Sequence, residues 1–182
     1  MSLTKELGEG QFGKVFEASA AGLKAYGGRT KVVAVKFLSA AVDVKEQAVF
    51  IQEAIRMRDL EHAHVVQLLA VCFNTVPGFI VLEHMAKGDL KGVLQDSKDS
   101  GSPFGADELL EMGVQVGSAL AYIAGKSFVH RDIAARNVLV DNENVLKLAD
   151  FGLWCLMLGE MSDKHRTGTQ HVPERGWLML LM

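Results

Sequence analysis

The sequence predicts an α+β protein in which an antiparallel sheet with one helix precedes a mainly helical part. Runs rich in β-branched residues, separated by turns that contain glycine or proline, occupy most of the first 83 residues. A longer, largely apolar helical segment follows at residues 106–124. Apolar residues make up 49% of the 182-residue chain and charged residues 23%, which is typical of a globular protein. This length suits one ordinary domain or two small lobes that share a cleft.

Residues 1–42 are predicted to form strands joined by glycine-rich turns. The segments KVFEA and KVVAVKFL favour strands, and AAGLKAYGGRT between them contains the glycines of a hairpin turn. Two more strands are predicted at 64–73 and 78–83, because both are apolar runs of strand length on either side of Pro77 and Gly78.

One helix is predicted over residues 43–60, between these groups of strands. Asp43 followed by Glu46 is a capping-box pattern, in which the two residues satisfy backbone N–H groups at the start of a helix. Helical spacing then places three apolar residues on one face, namely Phe50, Ala54 and Met57. We expect this face to pack on the sheet.

The chain changes character near residues 84–88, where the predicted sheet ends and helices begin. A short helix is predicted for DLKGVLQDS, followed by a loop rich in Ser, Gly and Pro and then by the helix at 106–124. Apolar residues surround much of the axis of this longer helix, so we expect it to be buried on several sides.

Charge and cysteine content exclude some classes of function. A net charge of −3 argues against a general nucleic-acid binder, which needs a basic surface to neutralise phosphates. The apolar run at 177–182 is far shorter than the roughly 20 residues that span a bilayer, so no membrane segment is expected. Cys72 lies in an apolar run and is expected to be a buried, reduced thiol, which favours a cytosolic or nuclear setting.

The string GEGQFGKV at residues 8–15 predicts a loop that approaches phosphate groups. Its glycines, Gly8, Gly10 and Gly13, leave room for backbone N–H groups to reach phosphate oxygens. The same spacing occurs in dinucleotide-binding turns, but these require a helix directly after the third glycine. Here KVFEA follows, which is a strand pattern, so we favour a flap between two strands over a dehydrogenase-type turn.

Other candidate residues are ambiguous when each is taken alone. Lys36 at a strand end and Glu53 on the predicted helix are each more often solvated surface charges. Asp150, after an apolar strand, is more often part of a turn. Together with Asp132 and Asn137, however, they supply a carboxylate that can accept a hydroxyl proton and hard oxygen ligands for Mg²⁺ near a phosphate flap.

Taken in order, these motifs resemble the signature set of protein kinases: a glycine flap, a strand lysine, a helix glutamate, H-R-D with Asn, and D-F-G. The resemblance runs from Leu3 to Leu153 and is to the catalytic domain of protein tyrosine kinases. It extends to FIQEAIRMRDLEHAHVVQLLAVC and IVLEHMAKGDL. It implies a two-lobed kinase-like fold, with a first lobe at 1–85, a hinge at 83–88 and an incomplete second lobe at 86–182.

The resemblance also implies roles for the candidate residues, with ATP and Mg²⁺ as cofactors. Lys36 is expected to pair with Glu53 and contact the ATP phosphates. Asp132 is expected to be the catalytic base, and Asn137 and Asp150 the Mg²⁺ ligands. The other expected nucleotide contacts are the glycines of the flap, the residues around adenine and the gatekeeper with the hinge, namely Gly8, Gly10, Gly13, Val15, Ala34, Leu139, Leu82, Glu83 and Met85. Met57, Leu68, His130 and Phe151 are expected to form a regulatory spine.

The loop sequence resembles the tyrosine-specific form of the family. Ala134 stands where serine/threonine kinases usually have a lysine, and AAR places Arg136 just before Asn137. The expected partners are therefore ATP and a protein or peptide with a tyrosine. The expected location is the cytoplasm, or the cytoplasmic part of a membrane receptor.

The segment after DFGL departs from the family pattern. It lacks the usual tyrosines and the A-P-E motif, although VPERGW resembles the peptide-positioning stretch, and Thr167 and Thr169 are candidate acceptors. We therefore expect a second lobe that is truncated and a helix at 106–124 that lacks some neighbours, so that a partner could cover it. The alternative function is a catalytically inactive fragment that binds ATP or regulates through interaction.

Overall fold

The computed structural model describes residues 1–10, 13–39 and 43–150, and the backbone of 155–156. Its first part is an antiparallel sheet of five strands, β1 (Ser2–Gly10), β2 (Gly13–Ala20), β3 (Lys31–Phe37), β4 (Leu68–Cys72) and β5 (Phe79–Glu83). Their order across the sheet is β1-β2-β3-β5-β4. The predicted antiparallel sheet is therefore confirmed.

The helix on this sheet, α1 (Val44–Arg58), begins as the capping pattern predicted. An Asp43 carboxylate oxygen accepts the Glu46 N–H at 2.8 Å, and the Glu46 carboxylate accepts the Asp43 N–H at 3.1 Å. Phe50, Ala54 and Met57 are all buried, as their spacing predicted. Phe50 and Ala54 pack with Ile80 of β5, which fixes the helix against the sheet.

The predicted strand at 64–73 begins later in the structure, at Leu68, because Val65 and Val66 pair with Leu148 instead of with β5. The Val66 N–H donates to the Leu148 carbonyl and the Leu148 N–H to the His64 carbonyl, both at 2.9 Å. This stretch therefore joins the first part of the chain to the strand that precedes Asp150. Both valines are at most 2% exposed.

The second part contains two longer helices and several very short strands. The helices are α2 (Leu90–Asp99) and α3 (Ala106–Gly125), as predicted. The strands are β6 (Gly88–Asp89), β7 (Phe128–Val129), β8 (Val138–Val140), β9 (Leu146–Leu148) and β10 (Cys155–Leu156). Strands β6, β8 and β9 form one small sheet, and β7 pairs with β10.

The helix α3 is buried on one side only, against the prediction of burial on several sides. Ala119 and Ile123 are buried in the largest apolar cluster, whereas Leu110 is 68% and Val114 58% exposed. The difference arises because no described element packs over the face that carries Leu110 and Val114. Among the helices described, none is both long and apolar enough to cross a membrane.

Cys72 carries a free thiol, as predicted, but it is only partly buried. Its strand, β4, is the last in the sheet order, so one side of the strand has no neighbouring strand within that sheet.

Candidate active site

Lys36 and Glu53 form a buried ion pair between β3 and α1. The Lys36 Nζ lies 3.0 Å from Glu53 Oε1 and 3.1 Å from Oε2. The side chain of Lys36 is 10% exposed and that of Glu53 is 2% exposed. A charge pair this well excluded from water needs close geometry on both sides, because each charge alone would be costly to bury.

Asp150 completes this charged group from the end of β9. One of its carboxylate oxygens lies 3.9 Å from the Lys36 Nζ, and its own side chain is 55% exposed. Its backbone has a φ of 58°, which is uncommon for a residue other than glycine but accessible to aspartate. The lysine is therefore placed between a buried carboxylate and an open one.

His130 links the loop at residues 130–137 to the residue that precedes Asp150. It is 2% exposed, and its Nε2 contacts the Ala149 carbonyl at 2.9 Å while its Nδ1 accepts the Asp132 N–H at 3.3 Å. These two contacts assign the proton to Nε2 of a neutral imidazole. Burial lowers the pKa of His130, although the Ala149 carbonyl and nearby carboxylates oppose this effect.

Asp132 is held by the two polar residues that follow it in the loop. The Asn137 Nδ2 donates to the Asp132 carboxylate and to its backbone carbonyl, both at 2.8 Å. The Arg136 guanidinium donates to the other carboxylate oxygen at 2.6 Å. The hydrogen bond from Asn137, and after it the contact with Arg136, lowers the pKa of Asp132, so this carboxylate is ionised at neutral pH.

Ala149 connects the two charged groups through its backbone. Its carbonyl contacts His130, and its N–H donates to the Asn137 carbonyl at 2.8 Å. These two hydrogen bonds thereby fix the position of the loop that carries Asp132 relative to the turn that carries Asp150. Sequence reasoning did not single out Ala149, because a backbone contact leaves no side-chain signal.

The glycine string joins β1 to β2, as predicted, since Gly10 pairs with Gly13 across the hairpin. Gly13 has a φ of 143°, and a Cβ there would lie 2.3 Å from the Phe37 carbonyl oxygen. A Cβ on Gly8 would meet nothing within 4 Å. The third glycine is therefore required by packing, while the first leaves open space above the sheet.

Of the residues predicted around adenine, Val15 and Ala34 lie on the neighbouring strands β2 and β3, and Leu139 lies on β8 of the small sheet. Val15 is opposite Lys36, and Ala34 is opposite Leu82, so the registers place these pairs side by side. Met85 is buried in the largest apolar cluster, and Leu139 packs against that cluster.

Glu83, predicted as a hinge residue, uses its side chain inside the protein. Its carboxylate accepts the Gln67 N–H and contacts the Lys147 Nζ, both at 2.7 Å. The Glu83 carboxylate is therefore engaged by partners within the protein, and its side chain is 15% exposed. The sequence did not reveal Lys147 as a partner, because the two residues are 64 positions apart.

Several predicted features lie outside the described residues. They include Phe151 and Gly152 of the D-F-G motif, Thr167 and Thr169, the VPERGW stretch and the apolar run at 177–182. Of the predicted spine, Met57 and His130 are buried, and Leu68 packs against the apolar cluster that contains Met57.

The donor set fits a hard divalent cation with few protein ligands. Asp150 offers a carboxylate. Both Asn137 N–H bonds point to Asp132, which leaves the amide oxygen for another partner. No cluster of three or more His, Cys, Asp or Glu side chains suited to a metal occurs among the described residues. Mg²⁺ commonly binds through one or two protein oxygens, with phosphate and water completing its shell.

Comparison with known proteins assigns the family. The model of the family described as protein tyrosine and serine/threonine kinase matches residues 1–178. This chain belongs to that family.

Its relatives include named tyrosine kinases. Human tyrosine-protein kinase FRK is 42% identical over 154 residues, which are 84% of this chain and 28% of that protein. The tyrosine-protein kinase transforming protein Abl of Abelson murine leukemia virus is 38% identical over 165 residues, 91% of this chain and 21% of that protein. Insulin receptor-related protein of Mus musculus is 36% identical over 159 residues, which are 84% of this chain and 12% of that protein. The chain thus spans 12–28% of these relatives.

Proposed function

We propose that this chain transfers the γ-phosphoryl group of ATP to a tyrosine hydroxyl of a protein, with Mg²⁺ as the metal. One observation carries the proposal. The Lys36–Glu53–Asp150 group and the Asp132–Asn137 pair are tied together through the backbone of Ala149. A cation, oxygens of the type that bind a metal and an ionised carboxylate on these connected segments support the proposal, because phosphoryl transfer requires such groups.

Lys36 binds the α- and β-phosphates of ATP in this proposal, and Glu53 orients it. With both oxygens of Glu53 within 3.1 Å of the ammonium, the lysine is held in place before ATP arrives. Gly8, Gly10 and Gly13 allow backbone N–H groups to approach the phosphates. The adenine lies between Val15 and Ala34 above and Leu139 below, beside Leu82 and the backbone of Glu83 and Met85.

Asn137 and Asp150 would hold Mg²⁺ through the amide oxygen and the carboxylate. The metal supplies neutralisation of the charge on the phosphates. The Asn137 amide is held through its Nδ2 bonds to Asp132, and the Asp150 carboxylate is 55% exposed, so both oxygens are available to a metal in this proposal.

Asp132 acts as the base. The tyrosine oxygen forms a bond to the γ-phosphorus, the bond from that phosphorus to the β-γ bridging oxygen breaks, and ADP leaves. The phenol proton passes to the Asp132 carboxylate, whose lowered pKa keeps it ionised before the step. Arg136 positions this carboxylate, and its place before Asn137 supports tyrosine as the acceptor by resemblance.

The test is phosphoryl transfer to a poly(Glu, Tyr) substrate with Mg²⁺–ATP, with a serine- and threonine-containing polymer as the alternative acceptor. We expect phosphotyrosine from the wild type, a loss of about 10²–10⁴-fold for Asp132→Asn, and no change for Asp59→Asn. Asp59 is the matched control, because its carboxylate is exposed and contacts only the neighbouring Arg58 in the ion pairs described.

Three outcomes separate the possible functions. ATP binding without transfer to either polymer would favour the inactive, ATP-binding alternative. Transfer to serine or threonine alone would contradict the tyrosine assignment. The absence of ATP binding would refute both the active and the inactive proposals. We also propose that residues 1–85 and 86–182 form two lobes on either side of the proposed nucleotide cleft.

A further inference from the structure

Glu17 connects three parts of the structure at the edge of the proposed nucleotide cleft. Its Oε2 lies 3.3 Å from the Nε2 of His84, and its Oε1 accepts a hydrogen bond from the Thr4 hydroxyl at 2.8 Å. The Thr4 hydroxyl also lies 3.0 Å from the Glu17 backbone carbonyl. One carboxylate on β2 thereby contacts β1 and the residue that follows β5.

The contact between Glu17 and His84 crosses a strand. The sheet order places β3 between β2 and β5, and neighbouring strands are separated by about 4.8 Å. Glu17 is opposite Ala34, and Ala34 is opposite Leu82, two residues before His84. The longer side chains of Glu17 and His84 therefore reach across β3 to meet.

Alternation along the strand puts this contact on the cleft side of the sheet. Glu17 follows Val15 by two residues and therefore shares its face, which is also the face of Lys36 opposite Val15. The Glu17 side chain is 29% exposed and that of His84 is 15% exposed. This partial burial makes the contact less screened by water than the Lys14–Glu6 pair of the same hairpin, whose side chains are about half exposed.

We propose that Glu17 and His84 form a clamp that holds the glycine hairpin at a fixed distance from the segment 83–88 and so sets the affinity for ATP. This rests on the proposed function. The contact joins the imidazole Nε2, which can carry a proton, to the Glu17 carboxylate at 3.3 Å. Both are positioning residues, which do not contact the transferred group. A glycine hairpin that the clamp already holds loses less conformational freedom when ATP binds, so the clamp strengthens ATP binding.

The test is a double-mutant cycle on the dissociation constant for Mg²⁺–ATP, measured by calorimetry with Glu17→Gln, His84→Asn and the double variant. We expect each single variant to weaken binding roughly three- to tenfold, and the double variant to be no worse than either. The KM for ATP should rise while kcat at saturating ATP stays unchanged, because the lost interaction is uniform in the ground and transition states.

The matched control is Glu6→Gln, which removes the Lys14–Glu6 ion pair. That pair joins β1 to β2 only, at 3.0 Å, and does not reach the segment 83–88. The dissociation constant of Glu6→Gln for Mg²⁺–ATP should stay within twofold of that of the wild type. Unchanged affinity in both clamp variants, or losses that multiply in the double variant, would overturn the clamp.

Amide hydrogen exchange, measured without nucleotide, tests the Glu17–His84 clamp separately from the proposed phosphoryl-transfer function. Glu17→Gln should speed exchange in the segment 83–88, and Glu6→Gln should not. If the wild type binds no ATP, the proposed function fails and with it the effect on affinity, whereas exchange still reports on the link itself. Equal exchange in the wild type and Glu17→Gln would refute the link even where ATP binds normally.

Discussion

The buried pair of Lys36 and Glu53 predicts a large loss of stability when either charge is removed alone. At 3.0 Å, and with an effective dielectric constant of about 20, their attraction is about 5 kcal/mol. Burial of both charges offsets much of this attraction, so the intact pair adds little net stability. A charge left without its partner loses the attraction but keeps the cost of burial.

Lys36→Met and Glu53→Leu are therefore expected to cost about 3–5 kcal/mol each in the free energy of unfolding, a fall in Tm on the order of 10 °C for a protein of this size. The double variant is expected to lie within about 1–2 kcal/mol of the wild type, because two apolar side chains of similar volume replace the two charges. Its ATP-dependent activity should nevertheless be absent, since the proposed phosphate contact is gone.

The measurement is urea unfolding monitored by circular dichroism, with Tm from a thermal scan. Lys14→Met serves as the matched control, because the Lys14–Glu6 distance is also 3.0 Å but both side chains are about half exposed, and its urea midpoint should not change. Losses below about 1 kcal/mol for either buried single variant, or a double variant that shows the sum of both losses, would refute the reasoning.

Two further predictions concern packing and protonation. Gly13→Ala should cost about 1–3 kcal/mol in unfolding free energy, because its Cβ would lie 2.3 Å from the Phe37 carbonyl oxygen at a φ of 143°, whereas Gly8→Ala should have a much smaller effect; equal losses in urea unfolding would contradict this packing argument. Burial lowers the pKa of both His130 and His62, so the unfolded chain binds protons that the folded chain does not, and stability should fall as the pH drops below about 6.5. His130→Gln and His62→Gln should each flatten the change in urea midpoint between about pH 7.5 and 5.5; an unchanged slope in both would show that neither group is linked to folding.

Local patterns predicted the elements whose cause is local. The capping box at Asp43, the spacing of Phe50, Ala54 and Met57 and the strand after Gly13 each depend on residues a few positions apart, and the structure agrees with all of them. Helical periodicity also located α3, but it could not tell which side is covered, since that depends on what packs there.

The contacts that the sequence did not reveal join residues far apart in the chain. The pairs Glu83–Lys147 and Glu17–His84 are made of common ionisable residues, and no local sequence pattern links the two members of either pair. Backbone contacts such as those of Ala149 carry no residue preference at all. The order of the motifs in the sequence identified the family, whereas the hydrogen bonds and ion pairs between the motifs became visible only in the structure.

The backbone contacts of Ala149 explain how one small loop holds both a buried imidazole and the proposed catalytic base. The Ala149 carbonyl accepts from His130 and the Ala149 N–H donates to the backbone carbonyl of Asn137, the residue whose side chain holds Asp132. A displacement of the turn before Asp150 would therefore move the proposed base together with a proposed metal ligand. The relative placement of these two groups is thus fixed by the backbone carbonyl and N–H of Ala149.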